Sequence, residues 1–77
     1  MIIRDILAVA VRKASKTEIV YRSNINFVAA EKYISRLLLR GMLTTVVDEG
    51  KSKFQTTQLG LETLAKLTEV QKLLEES

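Results

Sequence analysis

Residues 15–57 read SKTEIVYRSNINFVAAEKYISRLLLRGMLTTVVDEGKSKFQTT, and this stretch decides the fold. It opens on Ser15-Lys16-Thr17-Glu18, a capping-box pattern in which a hydroxyl accepts from an orphan amide and Glu18 reaches back to the cap. Either Ser15 or Thr17 is the cap on this reading. Glu18 to Ser23 then makes a short helix with Ile19 and Val20 as its apolar contacts. Asn24-Ile25-Asn26 ends it, because Asn tolerates the left-handed conformation and Asn26 suits the N-cap of a next helix. That helix runs from Phe27 to Arg40 and stops at Gly41. Its inner stripe is Ala30, Tyr33, Ile34, Leu37 and Leu38; Val28, Lys32, Ser35, Arg36 and Leu39 lie opposite. A short helix, a turn of about three residues and a longer helix make a helix-turn-helix.

After Gly41 the period changes from helical to alternating. Leu43 to Val47 and Lys53 to Thr57 are rich in β-branched and aromatic residues, and Asp48-Glu49-Gly50-Lys51 between them is a turn. Upstream, Ile2, Ile3, Ile6, Leu7, Val9, Ala10 and Val11 recur at helical spacing and cover roughly half a helical wheel. That is wider than one core contact needs, so the first helix is expected to be covered on two sides. Downstream, a last helix begins near Thr57 or Gln58 and reaches about Glu76, with Leu64, Leu67, Val70 and Leu74 on one stripe. The order is helix, helix-turn-helix, two-stranded wing, C-terminal helix. It predicts an α+β, mainly α, winged helix-turn-helix: one domain over residues 1–77, with 58–76 as a dimerisation helix.

Composition narrows the functional classes. The 77 residues hold one core and no more, and they contain neither cysteine nor histidine. Disulfide staples, thiolate or imidazole metal ligation and the usual catalytic bases and nucleophiles are therefore excluded. The glycines are Gly41, Gly50 and Gly60, which form no phosphate-binding loop. No enzyme activity and no cofactor are expected. The apolar start at Met1-Ile2-Ile3 is broken at once by Arg4 and Asp5, and no apolar run is long enough for a membrane span, so a cytoplasmic location is expected. The net charge of +3 divides unevenly: residues 1–56 hold ten Lys or Arg against five Asp or Glu, whereas residues 57–77 hold two against four. Phosphate binding belongs to the first part.

From Lys16 onward the chain resembles the small archaeal winged-helix DNA-binding proteins, including chromatin-associated ones that dimerise through an extended C-terminal helix. The matching residues are Lys16-Thr17, Ile19 and Tyr21, then Asn24-Ile25-Asn26-Phe27, then Tyr33-Ile34 with Leu37. Arg40-Gly41-Met42-Leu43 continues the match, and Phe54, Thr57 and Gly60 complete it. The resemblance covers roughly residues 16–65 and implies DNA binding and dimerisation. The chain departs from the pattern in a short wing tip, a shorter last helix, and Thr56 at a usually apolar position, which predicts a loosely packed second wing strand.

In that arrangement the second helix of the motif enters the major groove, which assigns Val28, Ala29, Lys32, Ser35 and Arg36 to the base edges. Lys16, Thr17, Arg22, Asn26, Lys51 and Lys53 are the expected phosphate contacts, the lysines through charge and Thr17 and Asn26 through helix N-termini. The competing reading of Lys32 and Arg36 is the solvated face of an amphipathic helix, and that of Lys51 and Lys53 is protection of exposed strand edges. Tyr21 is open between a phosphate contact and partial burial. Ile2, Ile3, Ile6, Leu64, Leu67, Val70 and Leu74 are the expected homodimer interface, with Gln71 setting register. The expected partners are double-stranded DNA and a second copy. A winged helix that binds a protein on the same surface is the alternative. No small-molecule ligand is evident, although the seam between first and last helices could hide a pocket.

Overall fold

In the computed structural model, which describes residues 1–76, an apolar first helix, an amphipathic last helix and a wing surround a helix-turn-helix. Helix α1 spans Ile2–Val9 and tightens into a single 3₁₀ turn at Ala10–Arg12, so the expected helix through Val11 breaks early. Helix α2 spans Lys16–Ser23 and α3 spans Phe27–Leu39. Strands β1 (Leu43–Asp48) and β2 (Lys51–Thr56) form the wing, and helix α4 covers Gln58–Glu76. The architecture is the winged helix-turn-helix that the sequence predicts.

The core is built at helical spacing. Ile6, Leu7 and Ala10 come from the first helix and its terminal turn, Ile19 from α2, and Ala30, Ile34 and Leu37 from one stripe of α3; Leu43 closes it from β1. Ile6, Leu7 and Ile19 are fully buried, which at about 1.5–3 kcal/mol per large aliphatic side chain makes them the main apolar contribution to a small core. Ala10, Ala14 and Ala30 leave space for close approach between elements.

Both ends of α3 are fixed by residues whose chemistry is local. Asn26 Oδ1 accepts from the Ala29 amide at 2.7 Å. At the other end Gly41 adopts φ 75°, and the chain folds back so that the Met42 amide donates to the Leu37 carbonyl at 2.9 Å and the Gly41 amide to the Leu38 carbonyl. That pair of bonds satisfies carbonyls the helix leaves open, and it requires a residue comfortable at positive φ.

The wing is a two-residue hairpin. Asp48 faces Lys51 in register, and Glu49 and Gly50 take φ 53° and 77°, the doubly positive turn that matches strand twist. Beyond the two strands, Ala14 pairs with Phe54 through reciprocal backbone bonds of 2.9 and 2.8 Å, a bridge that the sequence does not predict. Lys13, at φ 52°, turns the chain into it. These bonds tie the wing's second strand to the segment before α2.

Thr56 corrects the expectation of a loose strand. It is buried, and its hydroxyl donates to the Leu7 carbonyl at 2.7 Å. Leu7 lies in the last turn of α1, where carbonyls lack helical partners, so a hydroxyl is more useful there than a methyl group. Next to it, Thr57 caps α4: its Oγ1 accepts from the Gly60 amide at 3.1 Å and donates to the Gly41 carbonyl at 2.6 Å. Gly60 is buried against the Met42 carbonyl and lies so close to Thr56 that a Cβ would stand 2.6 Å from its Cγ2. The α3 terminus, the wing and the start of α4 are thus joined at one point.

Helix α4 outruns the domain. Over Gly60–Leu67 it packs on α1 and the core, but from Thr68 onward only Gln71 is not exposed among the described residues. The radius of gyration, 12.4 Å, exceeds the roughly 11.5 Å of a compact chain of this length, which fits a projecting helix. Among the described residues no helix is long and apolar enough to cross a membrane.

Candidate nucleic-acid interface

Helix α2 sets the approach. Ser15 is the cap, with its Oγ accepting from the Glu18 amide at 3.1 Å and the Glu18 carboxylate accepting from the Ser15 amide at 3.2 Å. Thr17 is not the cap; it lies within the first turn of α2 and is exposed there. The bonds from Ser15, amide first and hydroxyl next, hold the Glu18 carboxyl below its ordinary range, and Lys53 and Arg22 add to the effect. The amides of Lys16 and Thr17 belong to the first turn, where donors have no helical acceptor, so an anion can use them.

Helix α3 presents Val28, Lys32, Ser35 and Leu39 on the face directly away from the core, all exposed. Val28 and Leu39 are 80% and 85% exposed, which leaves two methyl-bearing groups on the ridge. Ala29 is half-buried. Arg36 is exposed but sits on a flank of α3, one turn before Arg40, where both line a cavity shared with α1 and α4. The wheel alone groups Arg36 with the outer face because it does not show which neighbour covers each flank.

The six expected phosphate contacts divide into three groups. Lys16 Nζ pairs with the Glu31 carboxylate at 2.7 Å, and Lys53 Nζ pairs with Asp48 at 3.3 Å. The bond from Lys16, followed by its charge, holds the Glu31 carboxyl below its usual range. A phosphate would have to compete with a carboxylate for either lysine. Arg22 and Lys51 are exposed and make no ion pair among the described residues. Thr17 and Asn26 stand at their helix starts, the Asn26 oxygen already used as the cap. Tyr21, which the sequence leaves between a phosphate contact and partial burial, is exposed.

The expected dimer residues also separate. Ile6 is wholly covered by its own domain and has no surface to offer a second copy. Ile3, Leu64 and Leu67 pack against the domain's core and are half-buried. Ile2, Val70 and Leu74 are exposed, and the structure adds Leu73, 61% exposed, which lies outside the four-residue stripe. Arg40, whose charge the sequence places near the phosphate-facing surface, lies one turn from Arg36 on the flank of α3 that borders the cavity.

The winged helix-turn-helix family matches residues 1–75, and the chain belongs to it. No curated protein matches the sequence significantly. Among solved structures, the fold is similar to Sso10a-2, a DNA-binding protein from Sulfolobus solfataricus, with a TM-score of 0.78 and 24% identity over 97% of this chain and 82% of the other. It is also similar to the transcriptional regulator BldR from Sulfolobus solfataricus, with a TM-score of 0.84 and 19% identity over 97% of this chain and 58% of that one. A third similar structure is Bordetella bronchiseptica BpsR, whose DNA binding is regulated by 6-hydroxynicotinic acid. It gives a TM-score of 0.79 at 18% identity, covering 96% of this chain and 57% of the other. The chain thus spans under two thirds of the latter two proteins. Two of the three similar structures are archaeal, in line with the resemblance read from the sequence.

Proposed function

We propose that this chain is a non-enzymatic, cytoplasmic DNA-binding protein that acts as a homodimer, either a transcription regulator or a nucleoid-type architectural protein. The observation that carries the reading is the outer face of α3: Val28, Lys32 and Ser35 stand exposed on a helix anchored at both ends, and Arg22 on α2 and Lys51 on the wing are exposed as well. In the major groove Lys32 and Ser35 are donors to base edges, and Val28 and Ala29 meet thymine methyls. Arg22, Lys51 and the first-turn amides of α2 and α3 take phosphates, with Thr17 and Asn26 at those turns and Lys16 and Lys53 contributing once released from their carboxylates. Arg36 reaches the duplex from its flank.

The proposed dimer forms through the projecting part of α4 together with the start of α1. Val70, Leu73 and Leu74 with Ile2 supply exposed apolar surface, and Ile3, Leu64 and Leu67 continue it into the domain. Two-fold symmetry would present two copies of α3 to one duplex.

A second reading, a protein partner on the α3 face, draws on Leu39 and Val28, whose exposure suits a protein groove as well as a base edge. A mobility shift with random duplex and with the promoter of the protein's own gene, at two salt concentrations, separates the readings. Promoter retained at the higher salt with random DNA released marks a regulator, and equal loss of both marks an architectural protein. No shift at low salt removes DNA from the account and favours the protein partner.

A further inference from the structure

The first turn of α3, Phe27-Val28-Ala29-Ala30, carries no polar side chain; the first hydrogen-bonding side chains, Glu31 and Lys32, come one turn later. Folding does not account for this turn. Ala30 is buried, but Val28 is 80% exposed and Phe27 52%, and both stand outside the core cluster. A β-branched side chain also lowers helix propensity, so an exposed Val28 serves neither the core nor the helix. The side chains that read bases bidentately are missing from this end as well. Helix α3 contains no Asn or Gln, and its one arginine, Arg36, lies towards the other end. Asn26, just before the helix, has its side-chain oxygen committed to the Ala29 amide, so it cannot pair both groups on an adenine edge.

We infer that α3 selects duplex DNA by the C5-methyl groups of its pyrimidines, through Val28 with Phe27 beside it, and takes 5-methylcytosine as it takes thymine. The inference rests on the proposed function and names the class of duplex which that interface prefers. The N-terminal end of a recognition helix lies over the base edges. With only apolar side chains there, this end has no means of using the C4 oxygen or amine that distinguishes thymine from cytosine. What it can use is the methyl at C5, an apolar group on the major-groove edge that cytosine and uracil lack. Removing one methyl-sized group from water is worth about four-fold in affinity, or about 0.8 kcal/mol. Lys32 and Ser35, a turn or more further along, add hydrogen bonds that do not depend on the methyl.

Fluorescence anisotropy of the full chain at one fixed salt concentration tests this with paired pools of degenerate duplexes, so that no target sequence is needed. One AT-rich pool carries thymine, and its twin carries deoxyuridine, which pairs identically and lacks only the methyl. One GC-rich pool carries 5-methylcytosine, and its twin carries cytosine. The methylated member of each pair is expected to bind about four-fold tighter for each α3 in the groove. Val28→Ser should bring each pair within about two-fold without unfolding the chain, because the site is exposed. Leu39→Ser, equally exposed at the far end of α3, should keep the wild-type ratios. Equal binding within both pairs overturns the inference and leaves the DNA-binding reading intact. A methyl preference that survives Val28→Ser overturns it too, since the methyl then acts through duplex shape, or through Leu39 if Leu39→Ser alone removes it. Preference for thymine over uracil without preference for 5-methylcytosine over cytosine overturns the equivalence of the two bases. Failure to bind any pool removes the proposed function and the inference with it.

Discussion

Helices α3 and α4 are both amphipathic, but they are supported differently. Helix α3 has an Asn cap at one end, a glycine-terminated fold-back at the other, and Ala30, Ile34 and Leu37 buried along its length. Helix α4 is six residues longer, yet Gly60 is its one buried position among the described residues. The first is held by its own chain over its whole length and can therefore offer its outer face for recognition without moving. The second is held only over its first half, where Thr57 and Gly60 dock and Leu64 and Leu67 pack against the core, and its distal apolar groups gain little from folding alone. Positioning belongs to α3, and the proposed association to α4.

The largest predicted effect tests the supported region. Ile19→Ala removes a fully buried side chain that packs α2 in the core, and it should cost about 2–5 kcal/mol in chemical denaturation. A loss under about 1 kcal/mol would mean that the helix-turn-helix does not depend on this packing. Thr56→Val preserves shape but leaves the Leu7 carbonyl without its donor, so it should cost about 1–3 kcal/mol. If the variant is as stable as wild type, the hydroxyl has no role in joining the wing to α1.

In the projecting region the expectation reverses. Val70→Glu with Leu73→Glu should change monomer stability by no more than about 0.5 kcal/mol, because both sites are exposed, while sedimentation shows dimer converted to monomer. A wild type already monomeric at high concentration contradicts the assignment of α4 to association. The smallest effect concerns the cap of α2. Glu18 has a lowered folded-state pKa, so its stabilisation is present above the unfolded value of about 4.3 and is lost as pH falls through the lower folded value. Thermal melts should show wild type more stable than Glu18→Gln at neutral pH, with the two converging under acid. Parallel curves at all pH values would mean the carboxylate charge is not what stabilises the cap.

The contrast between the helices also marks what sequence can express. Helix α3 was legible because Asn26, the Ala30-Ile34-Leu37 spacing and Gly41 are all local signals, and the wing followed from β-branched runs around Asp48–Lys51. Thr56 was not, because its acceptor, the Leu7 carbonyl, lies 49 residues away and is open only where α1 ends. The Ala14–Phe54 bridge and the Lys16–Glu31 pair depend on tertiary placement in the same way. For the candidate interface, wheel geometry placed Val28, Lys32 and Ser35 on one exposed face. It could not separate Arg36 from them, because that flank acquires its meaning only when α4 packs nearby. The cavity lies at the seam of the first and last helices, where the sequence leaves room for a pocket, but its lining from α3 and Met42 has no sequence signature, because it comes from elements distant in the chain.

The most direct test of the central claim is the salt dependence of duplex affinity, measured by fluorescence anisotropy for wild type and for Arg22→Ala with Lys51→Ala. If these side chains neutralise phosphates beside α3, the slope of log affinity against log salt should become shallower by about 0.9 for each phosphate that is no longer neutralised. A wild type with no salt dependence, or a double variant with an unchanged slope, would contradict the account.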